Sequence, residues 1–216
     1  MAERAQAGAN KPDYPFAGLP ELPHCASSHS IAPSDEECMA LWDKYAMLDN
    51  VRAHSLQVAN IATRLAERAY SLGHAVDVPA VRAAALLHDI AKTWCIRNGG
   101  SHALLGGAWA AQETGAYPIA QGVILHVHWP WPVPQGAAIC RLPIFVLYAD
   151  KRVRHDQCVR LSERFEDLMV RYGKTEAARA SINASWRQAR QIERALATQL
   201  NWSLDEDSLD CRRLVK

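Results

Sequence analysis

Residues 81–92 read Val81-Arg82-Ala83-Ala84-Ala85-Leu86-Leu87-His88-Asp89-Ile90-Ala91-Lys92, an apolar helical run that closes on an adjacent histidine and aspartate. A run of this kind is expected inside the protein, so the imidazole and the carboxylate should be buried with it. Burying both requires a protonated carboxylate, a dedicated partner for each or a bound metal ion. Upstream, Asp77 before Val78-Pro79 has the form of a cap with proline in the first turn. The pattern predicts a helix from there through Val81, Ala85 and His88 to about Trp94, after which Asn98-Gly99-Gly100 turns the chain.

The same anomaly recurs along the chain. His54 continues the stripe of Val51, Val58, Ile61, Leu65, Ala69 and Leu72, which Gly73 stops. His126 ends the run from Val123 to Leu125, and Asp150 ends the run from Ile144 to Ala149. His102 opens a helix after Gly99-Gly100, three residues before Leu105, and can point to the same place. One histidine on an apolar face is more often a hydrogen-bonded core residue than a ligand. A divalent cation accounts for all six together, because it offsets the cost of a buried carboxylate and satisfies imidazole nitrogens that a core cannot. His128 is the alternative to His126, but it lies about 200° further around a helix, and alignment with Ile119 and Val123 favours His126. Surface positions are the default for His24, His29, His74 and His155.

The rest of the chain reads as helix. Ser34-Asp35-Glu36-Glu37 has capping-box spacing and should open a helix to about Met47. Further helices are expected at about 102–113, 117–127, 138–155, 160–172 and 175–200. With no alternating strand pattern, internal repeat or glycine-rich phosphate loop, the fold class is all-α. The expected organisation is a Pro-rich arm over 1–33, a single helical domain over 34–202 and a polar tail over 203–216.

Hydrophobic residues at 49% against 22% charged exclude a disordered or fibrous chain, and 24 Lys+Arg against 23 Asp+Glu give no overall pull toward nucleic acid or an anionic membrane. The uncharged stretch from Thr114 to Cys140 is broken by Pro118, Pro130, Pro132 and Pro134, so no spanning helix is expected. Glu3 and Asp13 interrupt the N-terminus, which lacks the apolar run of a secretory signal, and a cytoplasmic protein is the expectation. The six cysteines, at 25, 38, 95, 140, 158 and 211, form no CxxC pair and should be reduced.

Taken in order, His54, then His88-Asp89, then Asp150 within Tyr148-Ala149-Asp150-Lys151 resembles the H, HD, D signature of the HD-domain metal-dependent phosphohydrolase superfamily, over roughly Leu41 to Arg171. The resemblance implies a compact helical HD-domain bundle with additional C-terminal helices. His102 and His126 resemble the two extra histidines of its binuclear branch, which includes symmetrical dinucleoside tetraphosphatases and some cyclic-dinucleotide phosphodiesterases. It implies that two divalent transition metal ions (Fe, Mn, Ni or Zn) are held by His54, His88, Asp89, His102, His126 and Asp150, with Asp89 bridging. The spacing from Asp89 to His102 is short for the tetraphosphatases, and the glycine-tyrosine-proline motif of the cyclic-dinucleotide branch is absent, so neither substrate is carried over.

The implied activity is hydrolysis of a phosphoester or phosphoanhydride of a nucleotide or related small molecule by metal-activated water. Asp89 is catalytic through the metals, and Lys92, placed four residues beyond His88 on a continued helix, is a catalytic and substrate-binding cation; a solvated lysine at a helix end is the alternative. Lys151 and Arg152 beside Asp150 extend the substrate-binding set, within a span, 151–194, of 11 Lys/Arg against 6 Asp/Glu. Trp129 and Trp131 either stack a nucleobase or form a rigid cover. A di-iron oxygenase of the same fold and a non-catalytic nucleotide-binding module are the alternative functions. Neither nucleic acid nor membrane is an expected partner, and the sequence carries no indication of oligomeric state.

Overall fold

The computed structural model describes residues 32–204 and Leu209. The expected arm over 1–33 and tail over 203–216 fall almost wholly outside the described residues, along with His24, His29, Cys25 and Cys211. The helices are α1 (Asp35–Lys44), α2 (Asp49–Ser71), α3 (Val78–Leu87), α4 (Lys92–Asn98), α5 (His102–Thr114), α6 (Tyr117–Leu125), α7 (Leu142–Lys151), α8 (Leu161–Tyr172) and α9 (Glu176–Leu200), with a 3-10 turn at Gly136–Ile139. The fold is all-α, a helical bundle on whose core α9 is laid. Among the described residues no helix is long and apolar enough to cross a membrane.

Local chemistry explains where the helices begin. Ser34 Oγ accepts from the Glu37 amide at 3.2 Å and Glu37 Oε2 accepts from the Ser34 amide at 2.7 Å, so both free amides are satisfied reciprocally. Asp77 accepts from the Ala80 amide at 3.0 Å and Ser101 from the Leu104 amide at 3.4 Å. Four helices then share one core: Val58, Ile61 and Leu65 of α2, Val81, Leu86 and Leu87 of α3, Ile119 and Val123 of α6, and Ile144, Phe145 and Leu147 of α7 are all buried. Trp42 of α1 donates its indole N–H to the Leu86 carbonyl at 2.9 Å, and Arg82 of α3 forks onto Asp35 at 2.7 and 2.5 Å, which ties α1 to α3. Gly107 lets α5 approach α6 closely, since a methyl group there would run into Ile124 and stand 3.3 Å from the Ala120 carbonyl. That approach brings the start of α5 toward the end of α6.

Three sequence expectations need correction. The helix that opens at Asp77 does not run to Trp94: α3 stops at Leu87, residues 88–91 form a turn, and α4 starts afresh at Lys92. The turn is closed by three-residue bonds, Ile90 N–H to Leu87 O at 3.0 Å and Lys92 N–H to Asp89 O at 2.9 Å, while the His88 side chain takes the Ala85 carbonyl. Lys92 is therefore not on the helix of His88. The stretch 138–155 is likewise not one helix. Pro143 is tolerated only in a first turn, so α7 begins at Leu142. After Lys151 the chain enters a small antiparallel hairpin, β1 (Val153–Arg154) and β2 (Gln157–Cys158), paired Val153 to Cys158 and Arg154 to Gln157. Strands of two residues are too short to show alternation in sequence. Finally, α1 and α6 end two or three residues earlier than expected, at Lys44 and Leu125.

Candidate metal centre

Five of the helices deliver the six residues to one point. His54 comes from α2, His88 caps the end of α3, Asp89 follows in the turn, His102 is the first residue of α5, His126 caps the end of α6 and Asp150 lies near the end of α7. His54 Nε2 stands 3.1 Å from Asp150 Oδ1 and 4.0 Å from Asp89 Oδ2. His88 Nε2 stands 3.4 Å from Asp89 Oδ2 and 3.9 Å from Asp150 Oδ1. On the other side of Asp89, its Oδ1 lies 3.4 Å from His102 Nε2 and 3.7 Å from His126 Nε2. Two compact triads result, His54-His88-Asp150 and His88-Asp89-His126, the ligand atoms of each lying within 4.8 Å of one another.

Backbone carbonyls fix the orientation of three rings. His54 Nδ1 bonds the His155 carbonyl at 2.8 Å, His88 Nδ1 the Ala85 carbonyl at 2.7 Å and His126 Nδ1 the Val123 carbonyl at 2.6 Å. A carbonyl only accepts, so each Nδ1 carries the proton and, while the ring is neutral, each Nε2 turns a lone pair inward, the arrangement that orients histidine ligands in metal sites. The sharpest observation is that His88 Nε2 and Asp89 Oδ1 are buried with no hydrogen-bond partner. A buried carboxylate oxygen and imidazole nitrogen left unmatched are costly, and a divalent ion held by both residues would remove that cost. The donor set of imidazole nitrogen and carboxylate oxygen suits a transition metal. His/Asp residues able to hold divalent metal are thus assembled here.

The electrostatics agree. Burial alone would raise the carboxyls, yet His88 and Lys92 hold Asp89, and Lys151 and His54 hold Asp150, well below the usual carboxylate range. Burial lowers His126 well below the ordinary histidine value, with the neighbouring His88 adding to it, and lowers His102 as well. Burial also opposes a charge on His88, but Asp89 and Asp150 outweigh it and raise that ring.

Lys92 and Lys151 each pair with one of the two carboxylates. Lys92 Nζ contacts Asp89 Oδ2 at 2.7 Å, and Lys151 Nζ contacts Asp150 Oδ2 at 2.6 Å and donates to the His126 carbonyl at 3.4 Å. Burial works against the Lys92 charge, but Asp89 and Asp150 keep it above its usual value. Lys92 faces a cleft of about 380 Å³ that opens onto His54 and Asp89 and is walled by Ile96, His155, Arg164, Arg171 and Tyr172. A roomier cleft of about 560 Å³, between α9 and the start of α8, contains none of the six converging residues.

Two residues read as substrate contacts go elsewhere. Arg152 is 1% exposed and spends its guanidinium on the Val159 carbonyl at 2.7 Å, the Tyr148 hydroxyl at 2.6 Å and the Leu204 carbonyl, facing away from the metal centre. Trp129 is buried, with both backbone groups bonded to Gln188 and its indole N–H given to Pro132 O at 3.2 Å, so it is a packed cover and has no free face for a base. Trp131 packs edge-on against it. Conversely, the His155 carbonyl reaches His54, and Arg164 and Arg171 line the cleft, without standing out in the sequence. Nothing local announces the carbonyl, but the arginines are seven residues apart, one face of a helix after two turns, and that spacing was a usable signal.

The family model for the HD domain matches residues 51–166, just over half of the chain. A segment of 79 residues is 39% identical to ribonuclease Y of Rubrobacter xylanophilus, covering 37% of this chain and 14% of that protein. The match therefore spans about one seventh of that relative's length. No solved structure matches the chain.

Proposed function

The chain belongs to the HD domain family, and on that footing we propose that it is a metal-dependent phosphohydrolase acting on a phosphoester or phosphoanhydride of a nucleotide or related small molecule. The observation that carries this reading is the pair of orphaned buried atoms, His88 Nε2 and Asp89 Oδ1, at the meeting point of four imidazoles and two carboxylates. His54, His88, Asp89, His102, His126 and Asp150 would hold divalent transition metal, two ions on this reading, with Fe, Mn, Ni and Zn all compatible with the donors. Bound there, metal supplies an acidified water as nucleophile and draws charge from the phosphate oxygens.

The protein's own groups do the positioning. Asp89 lies between the two groups of imidazoles, and its Oδ2 is steadied by Lys92 while Oδ1 faces His102 and His126. The Lys92 ammonium projects into the cleft, where a charge on the equatorial or leaving oxygen of a phosphate is stabilised as it grows. Lys151, held beneath Asp150, keeps that carboxylate ionised and oriented.

The test is phosphate or nucleotide release from a panel of mononucleotides, dinucleotides and a short RNA, using protein reconstituted separately with Fe, Mn, Ni and Zn. Turnover that vanishes on chelation and in Asp89→Ala is expected. Turnover retained in Asp89→Ala, oxygen uptake with iron alone, or tight nucleotide binding without product would overturn the reading.

A further inference from the structure

We infer that Arg164 and Arg171 of α8 form a second anion subsite beside the metal centre, so that the substrate carries a further phosphate beyond the phosphoryl group that is cleaved. The inference rests on the proposed function for which group is cleaved, and on geometry alone for the subsite. Both arginines line the same cleft as Asp89 and Lys92, although α8 contributes none of the six converging residues. Two turns of helix set them on one face, so they approach the cleft as a pair.

Their partners hold them in place without neutralising them. Asp167, between them on α8, pairs with Arg164 Nη1 at 3.3 Å, with Arg171 Nη2 at 2.8 Å and with Arg171 Nε at 2.9 Å. One carboxylate is thus shared by two guanidiniums, which leaves a positive charge over. The other bond of Arg171 is to His155, Nη2 to Nε2 at 3.0 Å, in which the guanidinium can only donate and His155 Nε2 accepts, so no second carboxylate is spent on Arg171 there. Arg164 is mostly enclosed, and its Nε is a buried donor with no partner. Pairs of the i,i+3 and i,i+4 kind contribute little to stability, so folding alone does not account for two arginines aimed into a cleft. A guanidinium fork matches a phosphate in shape and charge.

The remaining walls fit the same substrate. Against Lys92, Arg164 and Arg171 the cleft sets Asp156, exposed at the hairpin turn, and Asp89, which belongs to the metal centre. Ile96 and Tyr172 stand at the wall 67% and 59% exposed, apolar surface for the organic part of a ligand. A volume of about 380 Å³ suits a molecule of nucleotide size.

The subsite is tested by calorimetry on manganese-reconstituted protein, titrated with methylphosphonate and with alkylene bisphosphonates of increasing spacer length, none of which needs turnover. The wild type should prefer the best bisphosphonate by about tenfold or more. Arg164→Ala and Arg171→Ala should each reduce that preference to about twofold or less, leave methylphosphonate affinity unchanged and leave the thermal midpoint near wild type, with Arg171→Lys recovering part of the loss. Equal loss for both ligands, a preference that survives both substitutions or no preference in the wild type would overturn the subsite. Failure to hydrolyse any nucleotide counts against the hydrolase reading and leaves this result standing. Adenosine diphosphate and adenosine 3′,5′-bisphosphate then distinguish an anhydride-linked second phosphate from one on the far side of the sugar.

Discussion

His102 Nε2 and His126 Nε2, 24 residues apart in the chain, stand 3.2 Å from each other and face the same oxygen of Asp89. Burial favours the neutral form of both rings, so they are ready to coordinate at neutral pH. Protein reconstituted with iron or manganese should retain about two ions per chain, and the double variant His102→Ala/His126→Ala about one, held by His54, His88 and Asp150. Elemental analysis decides it. Two ions retained in the double variant would remove both histidines from the ligand set.

Lys92 touches Asp89 from the cleft side, and its side chain is 38% exposed there. Lys92→Ala should lower kcat by about 100- to 1000-fold, the effect of removing one charge-stabilising donor, with metal content unchanged. Steady-state kinetics beside elemental analysis separates this outcome from a loss of metal, which would make Lys92 a support for Asp89 alone.

Arg152 should behave as a core residue. Removing it leaves the Val159 and Leu204 carbonyls and the Tyr148 hydroxyl without their donor and Glu193, 3.5 Å away, without its cation. Arg152→Met should therefore cost about 3–5 kcal/mol in urea denaturation, with the metal content of the folded fraction unchanged. Wild-type stability with an altered KM would instead return Arg152 to the substrate.

Cys38 is fully buried, and burial, reinforced by Asp35 and Glu37, pushes its thiol from about 9 up to about 12. Because the folded value is raised, the stabilisation by the neutral thiol is whole below about pH 9 and is lost as pH rises from there toward 12. The margin of wild type over Cys38→Ala should accordingly shrink by about 2 kcal/mol between pH 8 and pH 10.5. A margin that does not move across that range would show the thiol to be solvated.

The starts of α1 and α3 were legible because capping is local: Ser34 and Asp77 each act on an amide three residues away. The break after Leu87 was not, because the run through Ile90 and Ala91 is as helical in pattern as the residues before it. What ends α3 is the His88 ring turning back onto Ala85, which depends on the company it keeps inside. Five of the six histidines and aspartates stood out because each breaks or ends an apolar run that packing would otherwise have filled, whereas His102 stood out by opening a helix just after Gly99-Gly100. Lys151 and Arg152 looked alike in sequence, as neighbouring cations beside Asp150. They part in the fold because Lys151 pairs with Asp150, whereas Arg152 bonds the Tyr148 hydroxyl and the Val159 and Leu204 carbonyls.

By itself, then, the sequence determined the helical class, most helix boundaries and five polar residues placed where apolar ones belong, since periodicity, caps and burial patterns act over a few residues. Tertiary structure alone decided which cations face the cleft. The His155 carbonyl reaches His54 across 101 residues of chain, and α8 brings Arg164 and Arg171 to the cleft that Asp89 opens onto. Contacts of that range are set by how whole helices pack, and no local pattern records the direction in which a packed helix turns its side chains.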